Sequence, residues 1–143
     1  MKWVLIAIAA LAVIICLVAL VGAMLPRDHV ATRRGVFQRK PHEVYPVVRK
    51  LALAPAYVID EDRPPDRLVT RIADEKLPYG GTWTFEFTAK PDGTTELRIT
   101  ERGFVKNVFF RALARFAFGY TSTMEASLRA IGKELGESVT PLP

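Results

Sequence analysis

The stretch Thr82-Trp83-Thr84-Phe85-Glu86-Phe87-Thr88 decides how this chain folds. Aromatic and polar residues alternate across all seven positions, the period-2 pattern of a β-strand with one buried and one solvated face. Lys90-Pro91-Asp92-Gly93 follows, with proline at the second position and glycine at the fourth, as suits a type I turn. The chain returns through residues 94–102 as an antiparallel partner, Leu97 and Ile99 facing one way and Glu96, Arg98 and Thr100 the other. From Asn107, a good N-cap residue, the period changes to 3.6. Phe109, Leu113, Phe116, Tyr120, Met124, Leu128, Ile131 and Leu135 recur every three or four positions. This spacing predicts one helix of nearly thirty residues, about 45 Å long. Gly119 falls inside it, at a cost of about 1 kcal/mol relative to alanine, which a bend or a close contact would explain. Gly136 ends the stripe, and residues 138–143 read as a frayed tail.

Upstream, residues 30–39 form a strand, and Lys40-Pro41 opens a helix over 42–53 with Val44, Val47, Val48 and Leu51 on one side. Pro46 lies near enough to its start to be tolerated. Pro55, Pro64 and Pro65 with Asp60-Glu61-Asp62 mark loops around a short strand at 57–60, and residues 67–74 are a further strand. Strand, helix, several antiparallel strands and a long C-terminal helix define an α+β fold. A twisted sheet with one aromatic face, and a helix across it, would enclose an apolar space.

Residues 3–25 are a run of 23 without a charge, all hydrophobic except Gly22. A bilayer core of about 30 Å needs about 20 such residues, so the run is long enough to span with some tilt. Lys2 and Trp3 are interfacial anchors at one end, and Pro26-Arg27-Asp28 stops the helix at the other. A cleaved signal peptide is the alternative, with Val21-Gly22-Ala23 as a poor cleavage site and an apolar core longer than such signals use. The chain therefore divides into a transmembrane anchor, or uncleaved signal, at 1–25 and one soluble domain at 26–140. Arg27, Arg33, Arg34, Arg39 and Lys40 follow the run, whereas only Lys2 precedes it. That asymmetry puts the domain in the cytoplasm. The same five cations would contact anionic lipid if they lie at the surface, or serve as a solvated strand face.

Composition excludes several chemistries. Cys16 is the single cysteine and His29 and His42 the only histidines, too few for a His/Cys zinc site, and no metal or cofactor is expected. No lipobox precedes Cys16. Gly80-Gly81 precedes a strand rather than a helix, so it reads as a turn and not a phosphate loop. The three acids at 60–62 read as a solvated loop, and no serine has nucleophile-elbow surroundings. The net charge of +5 would permit nucleic acid, but the arginines cluster beside the span while the aromatics fall on buried faces, so nucleic-acid binding is not expected.

The chain resembles the SRPBCC superfamily, the START-like or polyketide cyclase/dehydrase group with the helix-grip fold. The resemblance rests, in order, on Leu25-Pro26-Arg27-Asp28-His29-Val30-Ala31-Thr32-Arg33, Pro41-His42-Glu43-Val44-Tyr45, and Arg67-Leu68-Val69-Thr70-Arg71-Ile72. It continues through Gly80-Gly81-Thr82-Trp83-Thr84-Phe85, Ile99-Thr100-Glu101-Arg102-Gly103 and Phe118-Gly119-Tyr120-Thr121-Ser122-Thr123-Met124. It implies a cavity for a hydrophobic ligand between sheet and last helix, lined by Trp83, Phe85, Leu97, Ile99, Glu101, Phe116, Tyr120 and Met124. Arg71 and Tyr79 are further polar candidates, and a buried Glu101 near Arg71 would form an ion pair. The family has no universal catalytic set, and no histidine falls in the expected cavity. The implied function is a membrane-tethered module binding a lipid-like or quinone-like molecule without catalysis. The alternatives are a cyclase/dehydratase-type enzyme using Glu101 or Tyr79, or an interaction module with no ligand. Only residues 50–56 cover both the end of the first helix and the link to the next β region, so the grip is shortened. That leaves the cavity shallow or open, or completed by a second subunit.

Overall fold

The computed structural model describes residues 1–53 and 57–143, with Phe118 described by its backbone alone; Pro55, read above as a loop marker, lies outside the described residues. Among the described residues ten elements follow one another. They are α1 (Lys2–Met24), β1 (Asp28–Phe37), α2 (Pro41–Ala52), β2 (Tyr57–Arg63), β3 (Arg67–Ile72), β4 (Tyr79–Ala89), β5 (Thr95–Val105), α3 (Val108–Leu113), a π-helical turn (Ala114–Phe118) and α4 (Ser122–Glu134). The five strands form one antiparallel sheet in the order β1-β5-β4-β3-β2. The fold is α+β.

The alternation on β4 sets which face is covered. Trp83, Phe85 and Phe87 point inward, and the register places Leu97 opposite Phe87 and Ile99 opposite Phe85. The other face carries Thr32, Thr84 and Thr100, with Arg67 donating to Glu86 at 3.0 Å, and reads as a solvated surface. The β4–β5 turn forms as its residues dictate: Gly93 takes φ +85°, and the Asp92 carboxylate accepts from the Thr94 N–H at 3.0 Å.

Two helices cover the inner face. Proline at the first turn opens α2, and the Glu43 carboxylate accepts the Lys40 N–H at 3.0 Å. That bond holds the Glu43 carboxyl below its usual range. Val44, Tyr45 and Val48 are buried against the sheet, and the Tyr45 hydroxyl and Arg49 Nε both donate to Asp62, tying α2 to β2. From α4, Met124, Leu128 and Ile131 complete the core with Phe37, Leu68, Leu97 and Ile99.

Four expectations are corrected. The single long C-terminal helix is two: Gly119 takes φ +69°, a left-handed conformation that ends one helix, and the π turn before it shifts the phase of the stripe. The tail is not frayed. Val139 is buried, Leu142 exchanges backbone hydrogen bonds of 2.9 and 2.8 Å with Arg34, and Gly35 and Gly132 leave the room that Val139 fills. The tail thus covers the exposed edge of β1. Third, Asp60-Glu61-Asp62 are not a loop but part of β2, where they pair with Arg71, Arg67 and Arg49. Fourth, of the five cations after residues 3–25, Arg27 follows α1 directly, whereas β1 carries the other four away along about 33 Å of strand. Arg33 pairs with Glu125 of α4 at 2.9 Å, Arg34 donates to the Pro143 carbonyl, and Arg39 pairs with Glu43.

Helix α1 has the length and hydropathy to cross a membrane, as would a signal sequence or a buried core helix; its apolar residues are exposed, apart from one face. Gly22 is buried on that face because it touches α3: a Cβ there would come within 1.9 Å of the Val108 carbonyl oxygen. Arg111 fastens the junction, donating from one guanidinium to the Leu25 carbonyl at 3.1 Å and the Val105 carbonyl at 2.9 Å.

Leu128→Ala, which empties a fully buried site between α4 and the sheet, is expected to cost about 3 kcal/mol. Urea unfolding of the full chain in detergent measures it, and a cost near zero would mean α4 does not seat on the sheet as described.

Candidate functional site

Among the described residues two hollows lie between the sheet and its helices, each of about 280 Å³. The first is walled by Val48, Leu51 and Ala52 of α2, by Tyr57, Thr70, Trp83 and Phe85 of the sheet, and by Ser127, Ala130 and Ile131 of α4. The second is lined by His29, Tyr79, Glu101 and Phe104 from the sheet, by Phe110 and Ala114 from α3 and the π turn, and by Gly119 and Tyr120. Thr123, at the start of α4, belongs to both.

The first hollow is mainly apolar, with hydroxyls only from Tyr57, Thr70, Thr123 and Ser127. The second holds a polar cluster built by strand register. His29 on β1 faces Gly103 on β5, and Glu101 is the diagonal neighbour on the same face. A Cβ on Gly103 would sit 2.6 Å from the imidazole, so only glycine lets the ring lie flat over the strand. The imidazole Nε2 stands 3.8 Å from Glu101 Oε1, and the ring stacks on Tyr120 at 4.0 Å between centroids. Burial raises the Glu101 carboxyl above its ordinary range, opposed by the nearby imidazole and by the indole N–H of Trp83, its register partner on β4. Burial also raises the Tyr57 hydroxyl in the first hollow, and the Glu101 carboxylate acts on it in the same direction.

The residues expected to line a cavity divide into three groups. Trp83 and Phe85 line the first hollow, and Glu101 and Tyr120 the second. Leu97, Ile99 and Met124 are fully buried core, facing neither hollow, because they are pinned between the centre of the sheet and α4. Phe116 is 70% exposed, since the π turn and Gly119 swing it away from the sheet. Arg71 does not meet Glu101: Thr70 takes the inward position on β3, so Arg71 points outward and pairs with Asp60 at 3.0 Å. The expectation that no histidine enters the cavity fails at His29, and no acid–base pair was visible from spacing because His29 and Glu101 stand 72 residues apart. The signal for His29 was Gly103, a glycine within a strand, which marks a close approach by another group. Among the described residues, no three His, Cys, Asp or Glu side chains gather as a metal site would need.

No family model and no curated protein matches the sequence. Solved structures do. A conserved protein from Geobacillus kaustophilus aligns over 79% of this chain and 100% of its own, at 13% identity and a TM-score of 0.56. Protein MLL2253 from Mesorhizobium loti aligns over 76% and 96%, at 17% identity and 0.49, and the di-domain ARO/CYC StfQ of the steffimycin biosynthetic pathway over 77% and 52%, at 15% and 0.46. The first of these is similar enough to speak for a shared fold, and it speaks for nothing beyond the fold.

The raised Glu101 carboxyl has a defined sign in stability. A carboxyl whose folded pKa lies above its unfolded value favours the folded state fully below the ordinary carboxylate range, and that contribution is lost as pH rises through the folded pKa. Glu101→Gln should therefore leave melting temperature little changed at acid pH and raise it relative to the parent at neutral pH. Melting curves across that interval measure the difference; a constant offset would show that Glu101 is not held in the protonated-favouring site described.

Proposed function

We propose that the protein is a membrane-tethered binding module of the SRPBCC type, which shelters a lipid-like or quinone-like amphiphile and does not transform it. The observation that carries this reading is the pair of adjoining hollows on the covered face of the sheet, one mainly apolar and one carrying a polar cluster. Each is near the lower end of the roughly 300–1,000 Å³ that small-molecule sites occupy. Together they suit a molecule with an apolar body against Trp83, Phe85 and Ile131 and a polar end toward His29, Tyr79 and Glu101. Helix α1 is the single-span tether in this reading, with the domain on the cytoplasmic side, and it keeps the binding site where such molecules dissolve. In this reading Arg27 and Lys106, which lie 5.2 and 5.7 Å over the Phe104 ring, meet anionic headgroups.

A second reading has its own support. His29 beside a carboxyl whose proton affinity is raised, with two tyrosines on the same hollow, is the arrangement a general acid–base pair requires. In that case the bound molecule undergoes cyclisation or dehydration. Chromatography of the ligand before and after incubation decides it: Glu101→Gln should stop the conversion with the fold intact, and an unaltered rate removes the enzyme reading.

The binding reading is tested on the full chain purified in detergent, by native mass spectrometry and extraction of bound lipid. The parent should carry a ligand, and Ser127→Trp, which fills the first hollow from α4, should lose it while keeping the circular dichroism of the parent. A parent chain that is empty and also ignores added phospholipid and quinone would end this reading.

A further inference from the structure

Helix α3 and the π turn present Phe109, Phe110, Leu113 and Phe116 to the outside, with exposures of 38, 49, 42 and 70%. Four large apolar side chains within eight residues form a patch rather than scattered surface hydrophobics. The patch is continuous with α1, because α3 packs on the face of α1 that carries Val18, Ala19 and Gly22, the residues of that helix withdrawn from the exterior.

Depth follows from helix geometry. The 23 residues of α1 rise about 34 Å, a little more than the bilayer core of about 30 Å. If the helix spans, Val18 lies about 9 Å below Met24 along the axis. A helix packed against Val18–Gly22 cannot then stay in bulk water; it lies at the depth of roughly 5–10 Å that interfacial helices occupy. The charges agree. Lys106 precedes the patch and the exposed Arg115 falls within it, where a long side chain can reach back to the headgroups, while Arg111 spends its donors on the carbonyls of Gly22, Leu25, Val105 and Lys106. Phe110 and Ala114 of this same segment wall the second hollow.

We propose that α3 and the π turn lie in the interfacial layer of the bilayer that α1 spans, with Phe109, Phe110, Leu113 and Phe116 among the acyl chains. The second hollow then opens toward lipid rather than toward water. An amphiphile enters it from the membrane, passing Phe110 and Gly119 to reach His29 and Glu101. The occupant of the apolar patch is therefore the lipid layer itself. This inference rests on the tether reading of α1.

The test uses the full chain with Cys16→Ser, reconstituted in vesicles of phosphatidylcholine and phosphatidylglycerol. Single cysteines replace Val21 on α1, Phe116 on the π turn or Pro91 in the β4–β5 turn, each carrying an environment-sensitive fluorophore. Spin-labelled lipids with the nitroxide high on the acyl chain are the quencher. The expected result is loss of most emission from positions 21 and 116 and none from 91. Quenching at 21 without quenching at 116 overturns the inference and leaves the tether standing. No quenching at either position removes the tether and the inference with it. Equal quenching at 116 and 91 also overturns it, because contact would not be confined to α3. Leu113→Cys, on the same exposed face, supplies the same readout should the Phe116 variant fail to fold.

Discussion

The inner face of the sheet is longer than the helices available to cover it, and most of the structure follows from that mismatch. Strands β4 and β5 each run 11 residues, about 36 Å, whereas α4 has 13 residues and rises about 20 Å. Where α4 and α2 reach, packing is complete: Leu97, Ile99, Met124 and Leu128 have no exposed surface. Beyond their reach the face has to be closed by other means. The C-terminal tail closes the β1 side through Val139, and α3 with its π turn partly closes the end where β4 begins and β5 finishes. The two hollows are what these pieces leave unfilled.

The polar cluster occupies the less well covered end, where a buried carboxyl would otherwise carry a large desolvation cost. The His29 imidazole and the Trp83 indole, one group from each neighbouring strand, offset only part of that cost, so the Glu101 carboxyl stays raised. Gly103 and Tyr120 fix the imidazole from below and above. A binding pocket and a catalytic one would both start from such a cluster, and the difference lies in what the occupant presents to Glu101. The positive charge is organised differently. Most of the arginines after α1 hold the domain together, Arg33 to α4 and Arg34 to the tail, which leaves Arg27 and Lys106 near the junction with α1.

Much of the fold was legible because its signals are local. The aromatic alternation of residues 82–88, the proline-glycine turn after it and the proline-opened α2 each depend on neighbours within a few positions. The C-terminal helix was misread for a physical reason: a 3.6-residue stripe continues in the sequence through Gly119, but one left-handed residue and one wide turn redirect the chain without disturbing the list of apolar residues. The candidate site was half legible. Trp83 and Phe85 follow from alternation, and Glu101 and Tyr120 from the resemblance, while His29 depends on a pairing across 74 residues between β1 and Gly103.

By itself the sequence determined an apolar 23-residue helix, an antiparallel sheet with one apolar face, and helices to cover it, because hydrophobic periodicity and turn chemistry act over short distances. Only the tertiary structure decided which apolar residues became solid core and which bound empty space, where α3 came to rest, and which carboxyl lost its solvent. Those outcomes depend on strand register and on the lengths of elements packed against one another, and neither is encoded in any single stretch of the chain.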